Sequence, residues 1–180
     1  THQDYDKIIW AFTKTQGITQ IYCRKAGYGG STLTTLSSPL TLANLVLKKG
    51  RENWFYLQEG EVFMSAKEFQ ANYTAFESAC QITSAILKTQ EPLKCSPLLF
   101  NLSIDLLKQI SITPEESKKI LGIFYLKLMC HEGIFPLQWK CDHCQNPINE
   151  EVFSLGFENY CKLHAPSSSL VLSHEEAILF

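Results

Sequence analysis

Long apolar runs are missing from this 180-residue chain, and without a stretch of about 18 apolar residues no segment reads as a membrane-spanning helix. A basic stretch leading into an apolar one at the N-terminus is missing too, so nothing signals secretion. Charge is sparse at 19% of residues, too little for a disordered acidic or basic tail in a chain that is 45% hydrophobic. Catalytic signatures are equally scarce. "CHEG" at 130–133 supplies no His-x-Glu of the deaminase kind, and no His-Glu-x-x-His helix occurs. These absences leave a globular, cytoplasmic chain with one well-filled core or two small ones. The chain opens "THQDYDK" without a methionine, and further residues upstream are expected.

What is present divides into two halves of different character. Residues 1–60 carry seven Lys and Arg against four acids, net +3, while residues 61–180 carry nine against fourteen, net −5. The first half is strand-like: "KIIWAFT" (7–13), "GITQIYCRKA" (17–26), "LTLANLVLKK" (40–49) and "NWFYLQEGEVF" (53–63) are rich in β-branched and aromatic residues. The turn signals "KTQG", "GYGGST" and "KKGREN" separate them. Four such strands predict a small antiparallel sheet, or a five-stranded barrel whose first strand lies mostly upstream.

From Ser65 the period becomes helical. Ser65 and Glu68 form a capping box, after which Phe69, Tyr73, Phe76, Cys80, Thr83 and Leu87 share one face. A second helix is predicted from Ser96–Pro97 through "LLFNLSIDLLKQI". A third opens on a capping box of Thr113 and Glu116, turns Ile120, Phe124 and Leu128 inward, and ends near Gly133. Residues 169–180 suggest a short fourth. Cys23, Cys80, Cys95 and Cys130 sit singly among apolar neighbours and read as small buried hydrophobes, since a disulfide framework needs a secreted context.

The strongest chemical signal lies near the C-terminus. Cys141-x-x-Cys144 is followed after sixteen residues by Cys161-x-x-His164, with Phe153, Phe157 and Tyr160 between the pairs. Each pair presents two donors to one point, and two pairs supply the four ligands of tetrahedral zinc. Four protein ligands close the coordination sphere, so the metal is structural rather than catalytic. His143, inside the first knuckle, is expected to point to solvent. A redox Cys-x-x-Cys would need no second pair.

Strand-rich front, helical middle and zinc knuckle together resemble the bacterial RecO family along nearly the whole chain. "DYDKIIWAFTKTQGI" resembles its second barrel strand and tight turn, and "NWFYLQEGEVF" its last barrel strand. "GIFPLQWKCDHC…VFSLGFENYC" resembles its lead into the knuckle and the strand before the second metal pair. The resemblance implies an α+β protein: an OB-fold β-barrel over residues 1–64, its first strand largely missing, then a helical bundle over 65–180 with an inserted zinc knuckle at 139–166. It further implies a non-enzymatic DNA repair and recombination mediator, bacterial, cytoplasmic and nucleoid-associated. Such a protein binds single- and double-stranded DNA, anneals complementary strands, and with RecR helps load RecA on DNA coated by single-strand-binding protein. Two departures stand out. His164 replaces a cysteine, an adequate exchange for zinc, and the loop after the second long strand keeps only Arg24 and Lys25 where the family is commonly rich in basic residues.

Binding strands of any sequence takes cations for phosphates and flat rings for bases. The candidates are Lys14, Arg24, Lys25, Lys48, Lys49 and Arg51, with Tyr22, Tyr28 and Trp54 as stacking surfaces. So few cations predict modest intrinsic affinity and reliance on partners. Lys118, Lys119 and Lys127 are candidate rims for the acidic C-terminal tail of single-strand-binding protein. The competing expectation, favoured by the poor basic endowment, is a zinc-stabilised protein–protein adaptor; a metal-dependent hydrolase would need an open zinc position and a nearby base.

Overall fold

The computed structural model describes residues 5–27, 32–50, 54–134, 139–149, 151–156 and 158–173. They form an α+β structure in two compact units, Thr1–Leu121 and Gly122–Phe180. The first unit opens with a four-stranded sheet of β1 (Lys7–Thr13), β2 (Gly17–Cys23), β3 (Leu42–Lys49) and β4 (Phe55–Met64), in the order β1-β2-β4-β3. β1 and β2 make an antiparallel hairpin, β2 and β4 run parallel through Ile21↔Phe55 and Tyr22↔Tyr56, and β3 and β4 are antiparallel. A closed barrel is not formed by these four strands, and β1 and β3 are the sheet's edges.

Alternation sets the two faces of the sheet. Ile21 and Cys23 are fully buried on the inner face with Ala26, Leu36 and Leu57, and Ile9, Ala11, Leu45 and Leu47 pack around them. A short helix absent from the sequence expectations, α1 (Thr32–Leu36), supplies Leu36 to this core. It follows the "GYGGST" turn signal, in a stretch whose sequence suggests no element.

The helical part follows the sequence in outline and departs from it in phase. The Ser65–Glu68 capping box is formed, but it caps a single 3-10 turn (Ala66–Phe69). The chain then breaks, and α2 (Tyr73–Thr89) restarts with the Asn72 side chain accepting from the Ala75 N–H at 3.1 Å. This restart moves the buried face to Ala75, Ser78, Ala79, Ile82 and Ile86, and leaves Tyr73, Phe76 and Leu87 of the expected face exposed. α3 (Pro97–Ile112) begins where Ser96–Pro97 predicts. The Thr113 box is not formed: Thr113 Oγ1 donates back to the Gln109 carbonyl at 3.0 Å, Pro114–Glu116 make a 3-10 turn, and α4 (Ser117–His131) follows. Ile120, Phe124 and Leu128 are buried as expected, and Gly133 lies just past the helix at φ +70°.

The division between the two units falls at Leu121, inside α4. Sheet and first helices share a unit because the α2–α3 connection docks on the β1–β2 turn: Ile18 bridges Pro92, and the Leu93 N–H donates to the Ile18 carbonyl at 3.0 Å. Gly17 makes this docking possible. At φ +64°, a Cβ there would lie 2.1 Å from the Lys94 carbonyl oxygen.

The second unit holds a three-stranded antiparallel sheet, β6-β5-β7, of β5 (Glu151–Leu155), β6 (Glu158–Tyr160) and β7 (Leu170–Ser173). The fourth helix expected over 169–180 is therefore replaced, in its described part, by a strand; Leu170 to Leu172 pair with Ser154 to Val152 of β5. Of the four lone cysteines, Cys23 is fully buried and Cys80 and Cys130 are partly so, but Cys95 is exposed in the α2–α3 connection.

Candidate metal centre and nucleic-acid interface

Two short turns build the first candidate site. In the first, the Cys141 N–H donates to the Asn146 carbonyl at 2.9 Å and the Gln145 N–H to the Cys141 carbonyl at 2.8 Å, with Gln145 in the left-handed region at φ +62°. In the second, the His164 N–H returns to the Cys161 carbonyl at 2.9 Å. Asp142 ties the first turn to β6: its Oδ2 accepts from the Asn159 N–H at 2.6 Å, and its own N–H donates to the Asn159 carbonyl at 2.8 Å. Cys141, Ile148 and Val152 form a small core beneath, with Trp139 and Tyr160 packed on it.

The four donor atoms of Cys141, Cys144, Cys161 and His164 all lie within 4.8 Å of one another. His164 Nδ1 is 3.2 Å from the Cys161 sulfur and 3.8 Å from that of Cys141, and the Cys144 and Cys161 sulfurs are 4.0 Å apart. A tetrahedron with metal–sulfur bonds of about 2.3 Å has edges of about 3.8 Å, so the residues fit a tetrahedral metal ion. Electrostatics agree. Burial raises the pKa of the Cys141 thiol, but the backbone N–H groups of Cys144, Cys161 and His143 directed at its sulfur outweigh this and bring it down to about 6. The Cys144 thiol is raised, although the Asn146 N–H pulls it down, by burial and by the sulfurs beside it. Crowded sulfurs resist losing all their protons together, and a bound cation relieves that repulsion. His143 is exposed as expected, with its ring stacked on that of His164 at 4.2 Å.

The second candidate site is the outer face of the four-stranded sheet. Register places Ile8 opposite Tyr22, Tyr22 beside Tyr56, and Tyr56 opposite Lys48, one outward residue from each strand in a single row. The Tyr22 and Tyr56 rings meet edge to face at 5.6 Å. Gly50 leaves room for this, since a Cβ there would lie 2.5 Å from the Tyr56 ring. The Tyr22 hydroxyl donates to Asp6, a bond that raises its pKa, and the other oxygen of Asp6 accepts from the Lys25 N–H at 2.8 Å. A groove runs along the row, lined by Tyr22, Arg24, Lys48, Lys49, Trp54 and Tyr56. Arg24, Lys48 and Lys49 make no ion pair among the described residues.

Three of the six cations expected to meet phosphate are thus brought together. Lys14 is not among them: it sits in the β1–β2 turn, six residues and about 20 Å along the strand from the row. Lys25 is exposed beside Arg24 without lining the groove. Arg51, Tyr28 and Phe157 lie outside the described residues. Sequence reasoning missed Tyr56, Ile8 and the half-exposed Trp10 one step along β1. Period-two alternation in "KIIWAFT" would have placed Ile8 and Trp10 together on one face, but only the register shows which face. Lys118 and Lys119 are exposed on α4 and Lys127 is half-buried.

Fold and sites define an α+β protein with a sheet face that clusters cations and rings, and with a Cys3His cluster whose geometry fits a metal ion. No protein-family model matches the chain. Among curated proteins it is similar to DNA repair protein RecO of Chlamydia muridarum, 31% identical over 66% of this chain and 50% of that protein. It is 27% identical to that of Chlamydia trachomatis serovar D over 77% of this chain and 57% of the relative, and 23% identical to that of Bacillus subtilis over 83% and 58%. These matches, along most of the chain, support the RecO family. The chain spans 50–58% of the length of these relatives. Among the described residues no helix is long and apolar enough to cross a membrane.

Proposed function

We propose that this chain acts without catalysis in DNA repair and recombination, binding single- and double-stranded DNA through its sheet and holding its second unit together with structural zinc. The observation that carries the reading is the row Ile8–Tyr22–Tyr56–Lys48 with Arg24, Lys49 and Trp54 along the same groove. Cations there exchange condensed counterions for side-chain contacts, which makes affinity fall with salt, and the rings offer stacking surfaces for bases of any identity. Each stacked base contributes about 1–3 kcal/mol.

The strand order β1-β2-β4-β3, with a parallel β2–β4 pair and edges at β1 and β3, supports an OB-fold reading: one further strand bridging those edges would close a five-stranded barrel. Zinc is the favoured metal because three thiolates and an imidazole in a closed tetrahedron suit it and leave no open position for chemistry. Similarity to RecO proteins supports annealing of complementary strands and work with RecR, RecA and the tail of single-strand-binding protein, in a bacterial cytoplasm at the nucleoid.

The test is fluorescence anisotropy with a labelled single-stranded oligonucleotide across a salt series. Binding that weakens steadily with salt is expected, and K48E/K49E should weaken it at least about tenfold at low salt. Annealing of complementary oligonucleotides should slow in the same variant. A chain that binds no strand at low salt and speeds no annealing overturns the reading.

A further inference from the structure

The same sheet face that gathers the cations also carries carboxylates, and a β-bulge puts them there. On β4, Leu57 pairs with Leu47 and Glu59 with Val46, so Gln58 is an extra residue in the ladder. The insertion reverses the strand's inside–outside parity. Tyr56 points outward and Leu57 into the core; after the bulge Glu59, Glu61 and Phe63 are exposed on Tyr56's face, while Val62 packs inward. Without Gln58 both carboxylates would be directed at the core.

On β3 the outward residues are Lys48, Val46 and Asn44, opposite Tyr56, Glu59 and Glu61 respectively. The face therefore changes sign within one pair of residues: Lys48–Tyr56 lies at one end and Val46–Glu59 about 7 Å further along, followed by Asn44–Glu61 at about 14 Å. Neither Glu59 nor Glu61 makes an ion pair among the described residues, so both charges face solvent uncompensated. The cation-lined groove reaches Gln58 and stops there.

We propose that Glu59 and Glu61 form an anionic border that confines a bound polynucleotide to the cationic end of this sheet face. The inference rests on the reading of that face as a single-strand platform. A strand entering at Lys48 and Lys49 and crossing Tyr56 and Tyr22 toward β1 comes no nearer than about 7 Å to Glu59 and about 14 Å to Glu61. A strand turning along β4 would bring phosphates from about 7 Å away to direct contact with Glu59 and then Glu61, deep inside the Debye length of about 10 Å at 0.1 M salt. Apolar Phe63 and Val46, which would otherwise offer stacking and packing surface, are thereby kept out of the track. Charge at the rim of a site excludes wrong placements more than it adds affinity.

The experiment compares the wild-type chain with E59Q/E61Q and with a control pair, E115Q/E116Q, which removes the same charge at exposed positions of the 3-10 turn before α4. Anisotropy with a labelled oligothymidylate at low salt should show E59Q/E61Q binding about threefold to fivefold tighter than wild type, the gain fading at high salt, with a smaller gain in the control. Photo-cross-linking with 4-thiothymidine in the same oligonucleotide should reach Phe63 and Val46 only in E59Q/E61Q. A gain no larger than the control's, or cross-links to Phe63 already present in wild type, overturns the border and leaves the platform standing. Failure of all three proteins to bind overturns the platform, and the border with it.

Discussion

Gly17 occupies a position that no other residue fills without strain. Its φ of +64° lies in the left-handed region, and the Lys94 carbonyl stands where a Cβ would be. Gly17→Ala is expected to lower stability by at least about 2 kcal/mol in urea unfolding, because backbone strain and a backbone collision act together. His164 invites a substitution of a different kind. With zinc as the bound metal, His164→Ala should lose stoichiometric zinc after gel filtration with a competing chelator, while His164→Cys should keep it, since a fourth thiolate completes the same tetrahedron. Cys23 and Cys95 separate by burial. Burial pushes the Cys23 thiol up to about 11, and Lys7 only partly offsets this. The native state then holds a proton that the unfolded chain releases near pH 9, so the contribution of Cys23 to stability is complete below pH 9 and declines as pH rises from 9 toward 11. A thiol reagent at pH 8 should modify exposed Cys95 at once and Cys23 only on unfolding. Sequence neighbours did not distinguish these two cysteines, because each has one charged flank, Arg24 or Lys94, with apolar residues two positions before it, Ile21 or Leu93.

Among the elements, α2 shows how a local break decides a helix face. The capping box at Ser65 is real, and its single 3-10 turn ends before the helix proper restarts at Asn72. Residues counted from Ser65 as one continuous helix fall out of phase with the buried stripe, and small side chains, Ala75, Ser78 and Ala79, occupy the positions nearest the core. Ile82→Ala is expected to cost about 2–5 kcal/mol of stability, whereas Tyr73→Ala should stay within about 0.5 kcal/mol in the same denaturant assay. The reverse ranking would restore the face read from sequence. The four strands were legible to within three residues, since β-branched and aromatic runs bounded by turns signal strands directly. Less legible was the last strand: "LVLS" has no alternation of its own, and pairing with β5 makes it a strand.

The whole molecule is two compact units, and the cluster of buried apolar residues beneath the metal centre of the second is small, Cys141, Ile148 and Val152. Metal binding by a comparable zinc site contributes roughly 10–16 kcal/mol in isolated peptides, far more than so small a core supplies. A strong chelator is therefore expected to abolish hydrogen-exchange protection over β5, β6 and β7 while the strands of the first unit remain protected. Uniform loss across both units would contradict this division. Two features were decided by sequence alone. The Cys-x-x-Cys and Cys-x-x-His spacings put each donor pair on one tight turn, and residue type and alternation identify the four front strands, because both are local properties that travel with a few neighbouring residues. Tertiary structure alone decided which cations share a groove, which face Tyr22, Tyr56 and Lys48 present, and that Glu59 and Glu61 join them there. Register, bulges and the parallel β2–β4 pairing bring together residues more than thirty positions apart, and no local pattern encodes that separation.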